Sequence, residues 1–217
     1  MLQNLRARFR FRLLLASTVL LLIAMMSVPD NQYAVFLSMA FLVAAGVNAL
    51  PKKHPMHPVV LILGLTVLLC KALTAMGMMS YHVGNFGLAI LYAVLFFALI
   101  HRLTHQRPVT GELLYGLAAI YLQIALLFAI LYDGIEMFWP GSFSISTGVA
   151  PLEIGDFAYF SLITLTTVGY GDIYPLHPAA RILVTFEAVT GVLFIGLSMA
   201  RSLMLISDDN VDELERD

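Results

Sequence analysis

Apolar residues in this chain are gathered into long runs. Six runs near the length that crosses a bilayer, roughly 17–25 residues, lie at 13–28, 33–50, 58–81, 86–100, 113–132 and 179–206. The fourth is the shortest. Charges and turn residues collect in the breaks, as at Pro29-Asp30-Asn31, Pro51-Lys52-Lys53-His54-Pro55, Val83-Gly84-Asn85 and 102–112. A seventh apolar stretch, 155–166, is too short to cross and lies inside the long connection 133–178. The pattern predicts six transmembrane helices and, before the last, a short helix that dips into the membrane and returns.

Composition strengthens that reading. Hydrophobic residues make up 60% of 217 and charged residues 12%, with mean hydropathy +0.87. Soluble domains carry about 25% charged residues, so this chain has too little polar surface to stay dissolved. A net charge of −2 and no basic stripe with interleaved aromatics give no reason to expect nucleic-acid binding. The single cysteine, Cys70, excludes an intrachain disulfide.

The positive charges set an orientation. Arg6, Arg8, Arg10 and Arg12 precede the first run, Lys52 and Lys53 follow the second, Arg102 and Arg107 follow the fourth, and Arg201 and Arg216 lie at the end. Six alternating helices put all of them on one side, the cytoplasmic one, with both termini there. Asp30, Asp133, Glu136, Glu153, Asp156 and Asp172 fall on the other side, with Arg181. Four arginines before an apolar run also describe a secretory signal peptide. The segment Ile23-Ala24-Met25-Met26-Ser27 lacks a clear small-x-small cleavage pattern, so the run is read as a helix that stays. The divisions expected are a basic cytoplasmic segment 1–12, a four-helix membrane domain 13–111, a second membrane domain 112–206 that holds the long connection, and an acidic cytoplasmic tail 207–217.

The connection 133–178 carries the chemistry. Directly after the short apolar stretch comes Thr166-Thr167-Val168-Gly169-Tyr170-Gly171-Asp172. Gly169 and Gly171 accept backbone angles that a side chain forbids, so the run can extend with its carbonyls on one side. Irregular backbone at membrane depth is tolerated only where it is buried in protein or lines water.

This run resembles the selectivity filter of potassium channels, and the resemblance to the simplest bacterial members extends from about Phe157 to Ala200. It takes in Asp172, Tyr174-Pro175, Arg181 and Gly191. It implies that the carbonyls of Thr167, Val168, Gly169 and Tyr170, with the Thr167 hydroxyl, coordinate K+. Gly171 and Asp172 complete the filter. Thr166, Tyr159 and Phe160 support it, with Tyr159 in reach of Asp172 or Tyr170, and Val168 and Tyr170 turn outward to pack against the helix. The pore helix ends near Thr166, and its C-terminal partial negative charge favours a cation in the cavity below. Four loops make one ring, so a homotetramer in a lipid bilayer is implied. K+ is the permeant ion, and no other cofactor, nucleic acid or soluble ligand is expected. One departure stands out: where many such channels carry a pore-helix glutamate bonded to the aspartate after the filter, this chain has Ile163, so the filter is braced in another way.

Other candidates are weighed against plainer readings. Gly191, midway along the last run, is a hinge by resemblance or a site of close helix packing. The fourth run holds no Lys or Arg, whereas voltage sensing commonly uses 3–4 charges per subunit, so steep voltage dependence is not expected. Lys71 and Glu187 sit at roughly 12–14 Å depth by helical rise; they either pair with each other, or Lys71 snorkels outward while Glu187 is protonated or bonded behind the filter. The six histidines form no ligand set, and no enzyme motif is found. The expectation is therefore an all-α membrane protein that conducts K+ passively. The alternatives are a modulatory subunit of another channel and a secondary transporter, which would show repeated halves.

Overall fold

The computed structural model describes residues 10–27, 32–50, 54–76, 78, 81–104, 111–146 and 151–214. The arginines before residue 10, Lys52, Lys53, His105, Arg107 and residues 215–217 lie outside this set. Seven helices are present among the described residues: α1 Arg10–Ser27, α2 Gln32–Ala49, α3 His57–Ala75, α4 Tyr81–Thr104, α5 Gly111–Phe138, α6 Ile154–Leu165 and α7 Pro178–Leu214. Four segments are long and apolar enough to cross a membrane: Arg10–Ser27, His57–Ala75, Leu114–Phe138 and Pro178–Leu203. Tyr33–Ala49 and Gly87–His101 are apolar but shorter, as is α6.

Two boundaries differ from the expectation. The fifth helix runs to Phe138, six residues past the apolar run, and so includes Asp133 and Glu136. Its C-terminus is closed by its own side chain: Glu136 accepts the backbone N–H groups of Gly141 (2.7 Å) and Phe143 (3.1 Å). The last helix continues through the acidic stretch to Leu214 rather than stopping at 206. Local propensity allows this, because no Gly or Pro interrupts 197–214.

A small element was not foreseen. Strand β1, Phe143–Ile145, pairs antiparallel with β2, Ile173–Pro175, with Phe143 opposite Pro175 and Ile145 opposite Ile173. This ladder ties the segment after α5 to the segment after the filter.

Successive helices α1 to α5 pack on one another, and α1 also packs against α5 and α6. Inside a bilayer, burial from water does not drive such contacts; close packing and polar bonds do. Gly155, in the first turn of α6, is one close approach, since a Cβ there would lie 2.4 Å from the Met25 carbonyl oxygen. At the opposite end of α1, Arg12 Nε meets Glu112 Oε1 at 2.9 Å and its guanidinium lies over the Tyr115 ring. The first helix is thus clamped to the pore half at both ends.

Candidate functional site: a pore loop

Helix α6 is short because its chain is turned at both ends. Asp156 accepts the Glu153 backbone N–H at 2.9 Å, opening the helix, and Thr166 follows its last residue. Leu162 O then accepts both the Thr166 backbone N–H (3.0 Å) and its hydroxyl (2.6 Å). Thr167 N–H bonds Thr164 O, and both Val168 and Gly169 donate to Ile163 O, at 2.8 and 3.0 Å. The loop leaves the helix hung from one carbonyl.

Beyond that point the backbone alternates. Thr167, Gly169 and Gly171 have φ of 63°, 52° and 77°. Left-handed backbone is uncommon for a residue with a side chain, and two of these three positions are glycine. Their requirement is conformational, since a Cβ on Gly169 or Gly171 would meet nothing within 4 Å in the single chain.

Side chains hold the far end. Tyr159 Oη donates to Asp172 Oδ2 at 2.7 Å, and Ile173 N–H donates to Asp172 Oδ1 at 3.0 Å. Asp172 O accepts Ser146 N–H at 2.7 Å, which joins the filter's outer end to the ladder. Phe160 is buried against Tyr132 and Phe143. Val168 and Tyr170 are 51% and 73% exposed. The packing expected for them is not supplied within their own subunit.

Behind the filter the sequence reading missed most of the polar groups. Tyr121 Oη donates to Leu165 O at 2.7 Å, capping the end of α6 from α5. Glu187 of α7 is 0% exposed and is bonded by Tyr132 of α5 at Oε2 and by Ser161 of α6 at Oε1. Ser161 Oγ also lies 2.8 Å from Ala125 O. A carboxyl group in mid-span demands partners, and that demand was the available signal for these hydroxyls. Lys71 is placed elsewhere. It lines a cavity of about 540 Å³ together with Asp133 and Glu153. Lys71 and Glu187 therefore have different neighbours: Lys71 shares a cavity with Asp133 and Glu153, while Glu187 is held by Tyr132 and Ser161.

Gly191 also approaches α6. A Cβ there would lie 2.4 Å from Leu165 O, so the structure gives this glycine a packing reason. Ile163, in place of the glutamate of similar channels, is buried.

A short helix set between two long apolar helices, followed by a run of alternating left-handed residues, is a pore-loop arrangement. The family model described as ion channel matches residues 116–208. Over 106 residues the chain is 41% identical to the inward rectifier potassium channel Kirbac3.1 of Paramagnetospirillum magnetotacticum, covering 47% of this chain and 30% of that one. It is 38% identical over 82 residues to potassium channel K1 of Plasmodium berghei (strain Anka), covering 38% and 4%. It is 33% identical over 69 residues to two pore potassium channel c of Oryza sativa subsp. japonica, covering 32% and 15%. No solved structure matches. Over this segment the chain is similar to ion channels and to these potassium channels, and it spans less than a third of the length of these relatives.

Proposed function

We propose that this chain is a subunit of a potassium-selective channel that passes K+ down its gradient through a ring of four identical filters. The observation that carries the reading is the alternation of left-handed residues at 167, 169 and 171 within the run Thr166–Asp172, hung from the end of a buried helix. Such a backbone can present successive carbonyl oxygens to one axis in place of an ion's water shell. The carbonyls of Thr167, Val168, Gly169 and Tyr170 and the Thr167 hydroxyl hold the ion, and Gly171 and Asp172 shape the outer mouth.

Exposure supports the tetramer. Val168, Tyr170 and, along α7, Ile182, Phe186, Val189, Val192 and Ile195 are large apolar groups left open by one subunit. Neighbouring subunits cover part of this surface and lipid covers the rest.

Six crossings with both termini in the cytoplasm fit the charge asymmetry and the meeting of Arg12, at the start of α1, with Glu112, at the start of α5. An even number of crossings between them fits that contact. The membrane is the plasma membrane. Gly191 serves as a hinge as well as a contact, and splaying α7 there opens the cytoplasmic mouth. The run 86–100 holds no Lys or Arg, so opening is not driven by an arginine-bearing sensor helix, and a steep conductance–voltage curve would contradict this.

The test is planar-bilayer recording of the purified protein with K+ on one side and Na+ on the other. The expected reversal potential lies near that of K+. Equal passage of Na+ and K+ overturns the reading. Stable tetramers with no current favour the modulatory subunit instead.

A further inference from the structure

Three helices meet at one buried carboxyl group, and nothing in the filter's own contacts accounts for it. Glu187 sits one turn before Gly191 on α7, fully enclosed, with one oxygen bonded by Ser161 of the pore helix and the other by Tyr132 of the outer helix. Tyr132 is itself fixed among aromatic rings, with centroids 5.2 Å from Phe143, 5.4 Å from Phe160 and 6.4 Å from Phe157. Ser161 lies two residues before Ile163, whose carbonyl carries the filter's first two N–H bonds past Thr167. The chain from Glu187 to the filter is therefore short: carboxyl, Ser161 hydroxyl, half a turn of α6, Ile163 carbonyl, Val168 and Gly169.

We infer that Glu187 is a positioning residue of the filter: it ties the inner helix to the pore and outer helices and holds the conducting shape from behind. The inference rests on the proposed potassium conduction. It assigns to an inner-helix carboxyl the bracing that similar channels give to a pore-helix glutamate, whose position is Ile163 here.

The physical argument is one of alternatives. In water a lost hydrogen bond is replaced by solvent; in this enclosed site it is not, so removal of one partner leaves the others unsatisfied. Filter carbonyls repel one another when ions leave, and the ring then stays open only if its backing is stiff. A weakened backing is felt first at low K+.

The experiment records wild-type, Glu187→Val, Glu187→Gln, Tyr132→Phe and Ser161→Ala channels while outer K+ is lowered and restored. Glu187→Val is expected to speed the decay of current at low K+ by about tenfold and to reduce K+ over Na+ selectivity, with high K+ slowing the decay. Glu187→Gln is expected to stay within about twofold of wild type. Its amide oxygen can accept from Tyr132, and its NH2 can donate to Ser161, whose own proton then goes to Ala125 O, 2.8 Å away. Tyr132→Phe and Ser161→Ala, which remove one hydroxyl and little volume, are each expected to give about a threefold acceleration and serve if Glu187→Val does not assemble. Heat resistance of the tetramer, read in parallel, separates general weakening from a filter effect.

Unchanged decay and selectivity in Glu187→Val, or in both hydroxyl variants, overturns the inference. So does a Gln variant as impaired as Val, because the link would then not be a hydrogen-bonded one. A wild-type protein that carries no selective K+ current overturns the functional reading itself, which is a separate and visible outcome.

Discussion

The pore half and the four helices before it are both helical and apolar, but they are held by different means. From Tyr121 to Gly191, apolar packing is joined by polar bonds between elements and a close backbone approach: Tyr121 to Leu165 O, Ser161 and Tyr132 to Glu187, Tyr159 to Asp172, Gly191 against Leu165 O. In the front half, the hydroxyls of Ser17, Thr18, Ser38, Thr66 and Thr74 turn back onto their own helices. Helices there meet through Leu14, Leu42, Leu91 and Leu95, all fully buried. Apolar packing of that kind is satisfied by many sequences, whereas the pore half depends on particular atoms. The contrast predicts that single substitutions in the pore change conduction, and those in the front half change mainly stability.

The largest effect is expected at Gly169. Its φ of 52° costs a residue with a Cβ about 1–2 kcal/mol. Gly169→Ala should abolish selective K+ current while leaving the subunit membrane-inserted, as read by reversal potential. A K+-selective Ala variant would remove the contrast at its sharpest point.

Gly191→Ala comes next. The added methyl would meet backbone rather than a movable side chain, so α7 and α6 must part, at about 1–3 kcal/mol. Single-channel records should show lowered open probability and the protein should melt at lower temperature. Melting without any change in open probability would leave Gly191 a contact only, and the hinge would fail.

Gly155→Ala probes the seam between the halves. Its Cβ would press on the Met25 carbonyl, so a comparable cost is expected to fall on the docking of α1 rather than on the filter. Thermal unfolding should shift while selectivity stays. Lost selectivity would mean that the front half sets the filter's shape directly.

The sequence was uneven in what it disclosed, for the same reason. The unusual backbone of 167–171 was legible because left-handed angles at alternate positions favour glycine, and Gly169 and Gly171 advertise it. The short helix before it was legible because 155–166 is apolar and too brief to cross. The β1–β2 ladder was not, since three-residue strands such as Phe143–Ile145 carry no alternation long enough to read. Nor was the extension of α5 to Phe138, which depends on Glu136 folding back onto two later N–H groups. Glu187 was visible as a buried charge, but its partners come from helices 26 and 55 residues away in sequence. Lys71 was paired with it on depth alone, and depth does not say which way a helix faces.

The smallest effect is expected at Arg12. Its side chain is 50% exposed and its partner Glu112 15%, with 2.9 Å between them. Ion pairs open to solvent contribute about 0–1 kcal/mol, because water and salt screen them and two long side chains lose freedom. Stacking over Tyr115 adds about 0.5–1 kcal/mol at an exposed site. Arg12→Ala should therefore lower the unfolding temperature slightly and leave selectivity and open probability alone. Arg12→Lys should keep the charge but lose the planar stack, falling between wild type and Ala. The ordering is the informative part. If Arg12→Ala shifted open probability more than Gly155→Ala did, the N-terminal end of α1 rather than its C-terminal end would couple the two halves. The front helices would then be a gating element and not a packed surround.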